Sequence, residues 1–458
     1  MSLGTGFDAI AAFRKESNQG DYGTPIACGA GHQMPIIPPI NLTKDIQKQL
    51  DNQAQYKAGH GASSVLLKST AGQCHFQAVY RGLEQLIACA MGFSHYPEVF
   101  AFSTTWSDLG QQFSQDQIVS LASLGGGIAL AGTYPGGKIL RSTDSGATWS
   151  DLGQQFSQTQ ILSLASLGGG IALAGTYPGG KILRSFCVYK HRLILAENMH
   201  TEPLLAGHGI LAGDGYLAGD SLTRRGTLCV DKQVSPIWEY ISTMCRGMNI
   251  KGNAQGVRFS FDFLPNDLDL NSSTNTASSS WTISNGDWDY IQFQDLDIWI
   301  DDYSTTVPLT SDDAIGINEF EIKLGNSLVA KADSRSAQLI SDPRRTKKRV
   351  VTGSFTIPRY ESDTLLDKLD GQTACMCMMR FVGAQIGATG YYLTMWLWFP
   401  SLKFDVIDAP LGGMGIIPVT HTFTAEIPAG VASGFPTLAT KELYIEIQND
   451  LSTNPLTN

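Results

Sequence analysis

Strict alternation of apolar and polar residues is the main pattern along this chain, and it predicts β-strands. Residues 257–263 read VRFSFDF, so every second side chain is apolar and the predicted strand has one hydrophobic face. Residues 391–399 are instead apolar on both faces, which is typical of a strand central in a sheet or lying between subunits. Further predicted strands are 72–80, 187–195, 319–324, 350–357, 419–427 and 443–447. His421 lies on an apolar face, where we expect a hydrogen-bonded core histidine rather than a ligand or a base.

Two short segments carry helical periodicity instead. In residues 81–91 the apolar positions recur at intervals of three and four, and Gly92 stands where a C-cap belongs. A second helix is predicted over 365–369, with Ser362 as N-cap and Gly371 as the stop. The same order of strand, helix, turn and alternating strand therefore occurs in both halves of the chain, which indicates one fold used twice. The Pro-rich segment 21–39 is expected to be an extended arm.

A near-perfect duplication interrupts the first half. Residues 106–142 return as 149–185 with a period of 43, and only Asp116/Thr159 and Val119/Leu162 differ. Each copy holds short apolar runs separated by glycines, which predicts a β-meander. The segment between the copies matches S-x-D-x-G-x-T-W and resembles the Asp-box of sialidase-like propeller blades, on Ser142, Asp144, Gly146, Thr148 and Trp149. Such a box stabilises its hairpin and carries no chemistry, and two blades cannot close a propeller.

Charge is unevenly distributed along the chain. The net charge is −10, yet residues 259–322 contain no Lys or Arg and many acids. A basic run follows at 344–349, and an acidic chain without aromatic interleaving argues against nucleic-acid recognition by it. We expect either a solvated loop or a contact between subunits or rings. The candidate contact residues are Arg344, Arg345, Lys347, Lys348 and Arg349 on the basic side and Asp295, Asp297, Asp301 and Asp302 on the acidic side.

The chemistry-bearing residues form no recognisable catalytic, metal or cofactor site. The eight cysteines contain no C-x-x-C pair, so buried reduced thiols are expected. A sialidase-like activity needs an arginine cluster, an acid and a tyrosine nucleophile, which the repeats do not supply. We expect no enzyme activity and no cofactor. The sequence also has no long apolar run and no signal-peptide core at its start, so we expect a chain made in a cytoplasm, without membrane insertion.

Four stretches resemble the tail tube protein of long non-contractile tailed bacteriophages. They are YGTPIA (22–27), MNIKGNAQGVRFSFDFLPNDLD (248–269), VTGSFTIPRYESDTLLDKL (351–369) and WLWFPSLKFDVIDAPLGGMGIIPVTHTFTAEIPAG (396–430). The resemblance implies a mainly β fold, a β-sandwich with a flanking helix whose inner sheet joins its neighbours into a closed barrel ring. It also implies rings that stack into a tube. Ordinary members lack the repeat pair, which we interpret as a decoration inserted at a hairpin tip on the outer wall.

This interpretation divides the chain into a first tube domain, an insert and a second tube-like domain. The boundaries are 1–102 and 186–270 for the first tube domain, 103–185 for the inserted repeats, 271–313 for an acidic linker and 314–458 for the second domain. Two such domains per chain would let three chains form a ring of pseudo-sixfold symmetry, with a homohexamer as the alternative.

The resemblance further implies a place in the virion tail and a set of partners. These are copies of the chain itself, the tape-measure protein, and the tail tip and terminator proteins, while genomic DNA passes through the lumen without sequence-specific binding. The Asp-box supports an alternative, a carbohydrate-binding or glycan-degrading module, and leaves open a glycan contact by the insert. A secreted β-rich adhesin is a third possibility.

Overall fold

The computed structural model describes residues 9–16, 23–50, 63–95, 117–125, 128–142, 150–154, 159–168, 171–177, 182–184, 189–195, 225–233, 236–282, 288–329, 343–359, 364–386, 391–408 and 417–449. In these residues the protein is mainly β, the named strands pair antiparallel, and there are two α-helices. Neither helix has the length and apolarity needed to cross a membrane.

The elements before the repeats are β1 Ile10–Lys15, β2 Gln33–Met34, β3 Ile36–Leu50, β4 Ser63–Gln77, α1 Glu84–Met91 and β5 Gly92–His95. The repeats contain β6 Gln117–Gly125, β7 Ile128–Tyr134, β8 Lys138–Ser142, β9 Ser150–Gln154, β10 Gln160–Gly168, β11 Ile171–Tyr177 and β12 Ile182–Arg184. After them come β13 Tyr189–Leu195, β14 Arg225–Asp231, β15 Trp238–Asn253, β16 Gly256–Leu264 and β17 Asp267–Asp269.

The remaining elements are β18 Leu296–Asp302, β19 Ala314–Ile315, β20 Glu319–Gly325, β21 Leu328–Val329, β22 Arg344–Arg345, β23 Val350–Ile357, α2 Thr364–Asp370, β24 Cys375–Gln385, β25 Tyr392–Asp408, β26 Val419–Ala425 and β27 Tyr444–Asn449. We refer to β1–β4, α1 and β14–β17 as the first half of the fold. The second half is β18–β20, β23, α2 and β24–β27.

The two halves have the same strand connections, as their order of parts predicted. Seven antiparallel pairings of the first half each have a counterpart in the second. In the first half they are β1–β2, β1–β14, β3–β4, β4–β16, β14–β15, β15–β16 and β15–β17. Their counterparts are β18–β19, β18–β24, β20–β23, β23–β26, β24–β25, β25–β26 and β25–β27.

One continuous sheet joins the halves. Strand β15 lies between β16 of its own half and β20 of the other, so the hydrogen-bonded order is β3-β4-β16-β15-β20-β23-β26-β25. We call this the central sheet. The long strands β15 and β25 each leave the central sheet at one end and there pair with other strands, β15 with β14 and β17 and β25 with β24 and β27. Both have a register shift near the point where they leave it. Such bulges bend a strand and let it serve two sheets.

A single hydrophobic core is shared by the two halves. Alternating apolar residues of the central sheet, Phe76 and Phe259 from one half and Phe320 and Phe355 from the other, belong to one cluster. Helix α1 is almost wholly buried against that cluster, and it ends at Gly92 in the left-handed conformation, as predicted. The strand faces predicted from alternation are confirmed by the burial of every second residue in β16, β23 and β26.

Several expectations differ from the structure. The predicted linker 271–313 contains β18, which pairs with β24 because Ile298 and Ile300 alternate with acids and enter the core. The extended N-terminal region contributes two strands, β1 and β2. His421 is a core residue, as predicted, but its buried Nδ1 has no hydrogen-bond partner among the described residues. The seven described cysteines are free and buried, as predicted.

Candidate assembly surfaces

The central sheet has an open edge at each end. Strand β3 pairs only with β4, and residues 403–408 of β25 pair only with β26, within the described part of the chain. Val406 is 56% exposed there. A strand edge with unpaired N–H and C=O groups is a template for pairing with another strand. Both ends of this sheet are therefore able to accept a strand from a second molecule.

The two open edges correspond to the two strands that pair where the halves meet. In the shared topology β20 is the counterpart of β3, and β15 is the counterpart of β25. At the junction of the halves β15 and β20 pair antiparallel, with Ile250 opposite Ile322. Lys251 Nζ lies 2.8 Å from Glu319 Oε1, and Asn249 Nδ2 donates to Glu321 Oε1 over 2.8 Å. The β15–β20 pair in the middle of the central sheet is therefore an example of the strand pairing that the edges of β3 and β25 lack among the described residues.

The solvent face of the central sheet is polar, and three of its cations pair with carboxylates on the same or a neighbouring strand. Arg246 makes two bonds to Asp262, of 2.7 and 2.9 Å, and Lys323 Nζ lies 2.8 Å from Glu321. The bond to Glu319 raises the pKa of Lys251. Burial alone would raise the pKa of Glu321, but the bonds from Lys323 and Asn249 outweigh it and lower that pKa. These cations are held by carboxylates of the same face.

The predicted basic run divides into anchored and exposed residues. The Arg349 guanidinium is buried and donates to both carboxylate oxygens of Glu442, with distances of 2.7 to 3.1 Å. The Arg345 Nε donates to the Asn326 carbonyl oxygen over 3.2 Å. Lys347 and Lys348 are exposed, and the backbone of Arg344 pairs with Val329. Of the side chains of this run that the structure describes, the two lysines lie where a neighbouring molecule could contact them directly.

Three of the four predicted acidic candidates have partners in their own chain. Asp297 bonds Arg380 over 2.7 Å, and Asp301 and Asp302 lie 3.4 and 2.5 Å from Lys368 Nζ. Burial raises the pKa of Asp295. No described ion pair joins these acids to the basic run. A contact between the two groups, if made, is therefore one between molecules, which stays a prediction.

The described residues carry no cluster of metal-ligating side chains. No group of three His, Cys, Asp or Glu side chains in them could hold a metal ion. Burial raises the pKa of the Cys375 thiol to about 12, so it is a poor nucleophile at neutral pH. An open groove beside the β3 edge, of about 510 Å³, has no charged residue in its described lining. Of the Asp-box, Ser142 is buried at the end of β8, and Asp144, Gly146, Thr148 and Trp149 lie outside the described residues.

Sequence comparison adds no relatives to this picture. No protein-family model matches the chain, and no curated protein matches it. The open edges of the central sheet could have been found from the sequence only through the repeated order of parts, since β3 and β25 carry no motif of their own. The ion pairs of the polar face had a signal in the charged residues that alternate with apolar ones in 246–262 and 319–324.

Proposed function

We propose that this protein is the structural subunit of a phage tail tube, a stack of closed rings in the tail of the virion. The observation that carries the proposal is the central sheet, which contains two copies of one four-stranded unit, joined by β15 and β20, and has the counterparts of those strands as its open edges. A subunit with this property adds the next subunit by repeating its own internal junction. The sequence resemblance to tail tube proteins supports the same conclusion.

The same geometry favours three chains per ring. An edge-to-edge contact between β25 of one copy and β3 of the next is heterologous, and such contacts close into rings when the rotation between units allows it. If the junction between chains copies the junction within the chain, all units around the ring are related by one rotation. Three chains then give six units, whereas a homohexamer would contain twelve.

The polar face of the central sheet is assigned to the lumen. The apolar face is occupied by the core, so a barrel closed by this sheet directs its polar face inward. DNA carries a dense negative charge, and a wall binds it through cations free to replace counterions. Three cations of this face, Arg246, Lys251 and Lys323, are instead paired with carboxylates, while Arg258 is exposed opposite Lys251. Such a wall allows DNA and the tape-measure protein to pass without strong adhesion.

Electron microscopy and native mass spectrometry of the purified full chain test this proposal together. We expect rings or tubes, with a ring mass of three chains and sixfold density in the inner wall. Six chains per ring would contradict the trimer and leave a hexameric tube. A monodisperse globular monomer at all protein concentrations and salt conditions would contradict the tube itself.

A further inference from the structure

The second repeat unit of the insert packs one of its faces against the first unit. The first unit is the meander β6–β9 and the second is β10–β12. Ile161 of β10 is fully buried against the first unit, directly over Gly132. A Cβ built on Gly132 would lie 2.6 Å from Ile161 Cγ2, so only glycine leaves room for this side chain. The hydroxyl of Ser120 donates to the Ile161 carbonyl oxygen over 3.0 Å.

These contacts define a knob and a socket on opposite faces of each meander. The knob of the second unit is Ile161 with Leu164 beside it, and the socket of the first unit is Ser120 with Gly132. Because the units repeat with a period of 43, the first unit has its own knob at Ile118 and Leu121. The second unit likewise has its own socket at Ser163 and Gly175.

Among the described residues, the knob of the first unit and the socket of the second unit have no such partner. Ile118 is 46% exposed and Leu121 is 66% exposed, whereas Ile161 is 0% exposed. Within the described residues, a Cβ on Gly175 would meet only Ser163, with no isoleucine over it. Ser163 is exposed, while Ser120 at the filled socket is half-buried. One insert therefore ends in an apolar knob on one side and an empty glycine socket on the other.

We infer that the insert of one chain stacks head to tail on the insert of a second copy of this chain, with Ile118 of one entering the Ser163/Gly175 socket of the other. The interface is complementary because it repeats one already made inside the chain by nearly identical sequences. It is heterologous, so it links successive copies along a row rather than forming a symmetric pair. It buries two exposed aliphatic side chains at each contact, which stabilises association.

This inference does not depend on the tube. Insert stacking would join the inserts of neighbouring subunits, or of successive rings, along the outside of an assembly, and it would also operate between chains that form no ring. A glycan cannot fill the socket in the same way, because it supplies neither an isoleucine side chain nor the backbone carbonyl that the serine hydroxyl bonds.

Disulfide trapping between two variants of the full chain, each with one added cysteine, tests the inference. Ile118→Cys in one chain and Ser163→Cys in the other place the thiols on the knob and beside the socket, both at exposed positions that tolerate substitution. The two chains are co-assembled and oxidised with oxidised glutathione. The described native cysteines are buried and do not compete. We expect a covalent dimer in the mixture and little in either variant alone.

The matched control replaces the knob with an equally exposed position outside the stacking face. Leu152 is 47% exposed on β9, so Leu152→Cys mixed with Ser163→Cys reports random encounter at the same concentration. We expect roughly tenfold more dimer from the Ile118 mixture, because docking raises the effective concentration of the two thiols. Equal yields in the two mixtures would overturn the inference. Dimer from Ile118→Cys alone would overturn it as well, since that result means a symmetric contact. Microscopy of the same samples records independently whether rings are present.

Discussion

At the scale of single residues, His421 shows what the second half has changed relative to the first. It lies opposite Phe355 in the β23–β26 pair, as Phe259 lies opposite Phe76 in the β4–β16 pair. Its ring stacks on Phe355 with centroids 5.1 Å apart and lies 5.5 Å from the ring of Phe404. Burial lowers the pKa of His421 from 6.5 to about 4. A neutral imidazole therefore fills a site that the other half gives to phenylalanine.

The fold should lose stability below neutral pH because of this one residue. As the pH falls from 6.5 to 4, the unfolded chain binds a proton at this position before the folded chain does, so the free energy of unfolding decreases in that window. Above the window the residue makes its full contribution to stability. Between pH 7 and pH 5 we expect a loss of about 2 kcal/mol. Denaturant unfolding at the two pH values, in wild type and in His421→Phe, measures it.

The paired substitution provides the control. His421→Phe should remove most of the loss between pH 7 and pH 5, while Phe259→His should add a second loss of the same sign, because position 259 is fully buried. A pH dependence unchanged by His421→Phe would show that other groups set the acid sensitivity. Two buried carboxyl groups with raised pKa values, Glu84 and Glu239, act in the opposite direction and are unaltered in both variants.

The basic run is expected to have separable roles in folding and in assembly. Arg349→Ala leaves the half-buried Glu442 carboxylate without its two-pronged partner, and breaking such a buried pair costs about 3 to 5 kcal/mol. Lys347→Glu with Lys348→Glu alters two exposed side chains and should leave the unfolding midpoint nearly unchanged. Thermal unfolding of the unassembled chain separates the two variants.

Assembly measurements complete that comparison. If the two lysines contact acids of a neighbouring subunit or ring, the double charge reversal should slow tube growth and make it more sensitive to salt, as followed by light scattering. Exposed pairs contribute only about 0 to 1 kcal/mol each, so the effect should be modest. Growth rates equal to wild type at low salt would remove these lysines from the contact.

At the scale of elements, the junction of the halves gives a register for the contact between chains. Asn249 of β15 lies opposite Lys323 of β20. When Phe76 is aligned with Phe355 and Phe259 with His421, Ser260 aligns with Thr422. Asn249 pairs with Ser260 and Val406 pairs with Thr422, so Val406 is the counterpart of Asn249. The same alignment places Gln73 with Thr352. Asn41 pairs with Gln73 and Lys323 pairs with Thr352, so Asn41 is the counterpart of Lys323. Val406 of one chain should therefore lie opposite Asn41 of the next.

Cysteine pairing tests this register in assembled material. In Asn41→Cys/Val406→Cys we expect disulfides between chains that convert rings to covalent closed oligomers, because directly opposite residues bring their Cβ atoms within about 5 Å. Thr43 lies two residues further along the same exposed face, so Thr43→Cys/Val406→Cys is the out-of-register control. Stronger crosslinking by the control than by the Asn41 pair would show a different register, and rings without either crosslink would show that other strands form the wall.

Much of the element level could be predicted from the sequence, and the exceptions have physical reasons. Strands β16, β20, β23 and β26 were predicted because each buries one face, which imposes a period of two on the sequence. Strand β1 was missed because it is short and its pairing with β14 spans more than 200 residues. Strand β18 was missed because its acidic residues made the segment look like an exposed linker. In the structure those acids form ion pairs with Arg380 and Lys368, which lie far along the chain.

The candidate site was less accessible from sequence than the fold. The basic and acidic clusters were chosen because like charges adjoin in sequence, but their partners are decided by tertiary contacts such as that of Arg349 with Glu442. The open edges of β3 and β25 depend on which strands are last in the sheet, and this is a property of topology. The one related signal in the sequence was the same order of parts in both halves, since a fold used twice needs a junction that can be repeated.

At the scale of the whole molecule, comparison of the halves defines what has been inserted. In the second half α2 ends at Asp370 and β24 begins at Cys375, whereas in the first half α1 ends at Met91 and the equivalent strand begins at Arg225. Within the additional segment β5 and β13 lie antiparallel, with His95 opposite Arg192, on either side of the repeats. This pairing is what we expect of repeats inserted at a hairpin tip, while the predicted flanking strand 99–102 lies outside the described residues. Strand β13 also pairs with β27, which anchors the hairpin to the second half.

Deleting the repeats should therefore leave the tube-forming part intact. Replacing the chain between Ser103 and Ser185 with a short Gly/Ser link keeps β5 and β13, whose pairing closes the base of the hairpin. Loop tips tolerate such changes because the hydrogen-bonded ladder of the host is not cut, and the entropy of closing a loop depends only weakly on its length. We expect a soluble chain that forms rings and tubes with thinner walls and a smooth exterior, as seen by electron microscopy. Single rings that no longer stack would mean that the inserts hold successive rings together, and an insoluble chain would place the repeats within the folding core. Tubes and single unstacked rings, as the first two outcomes, also distinguish where insert stacking acts. Deleting the repeats removes any contact that inserts make between rings, whereas it keeps the proposed edge contact of β25 with β3.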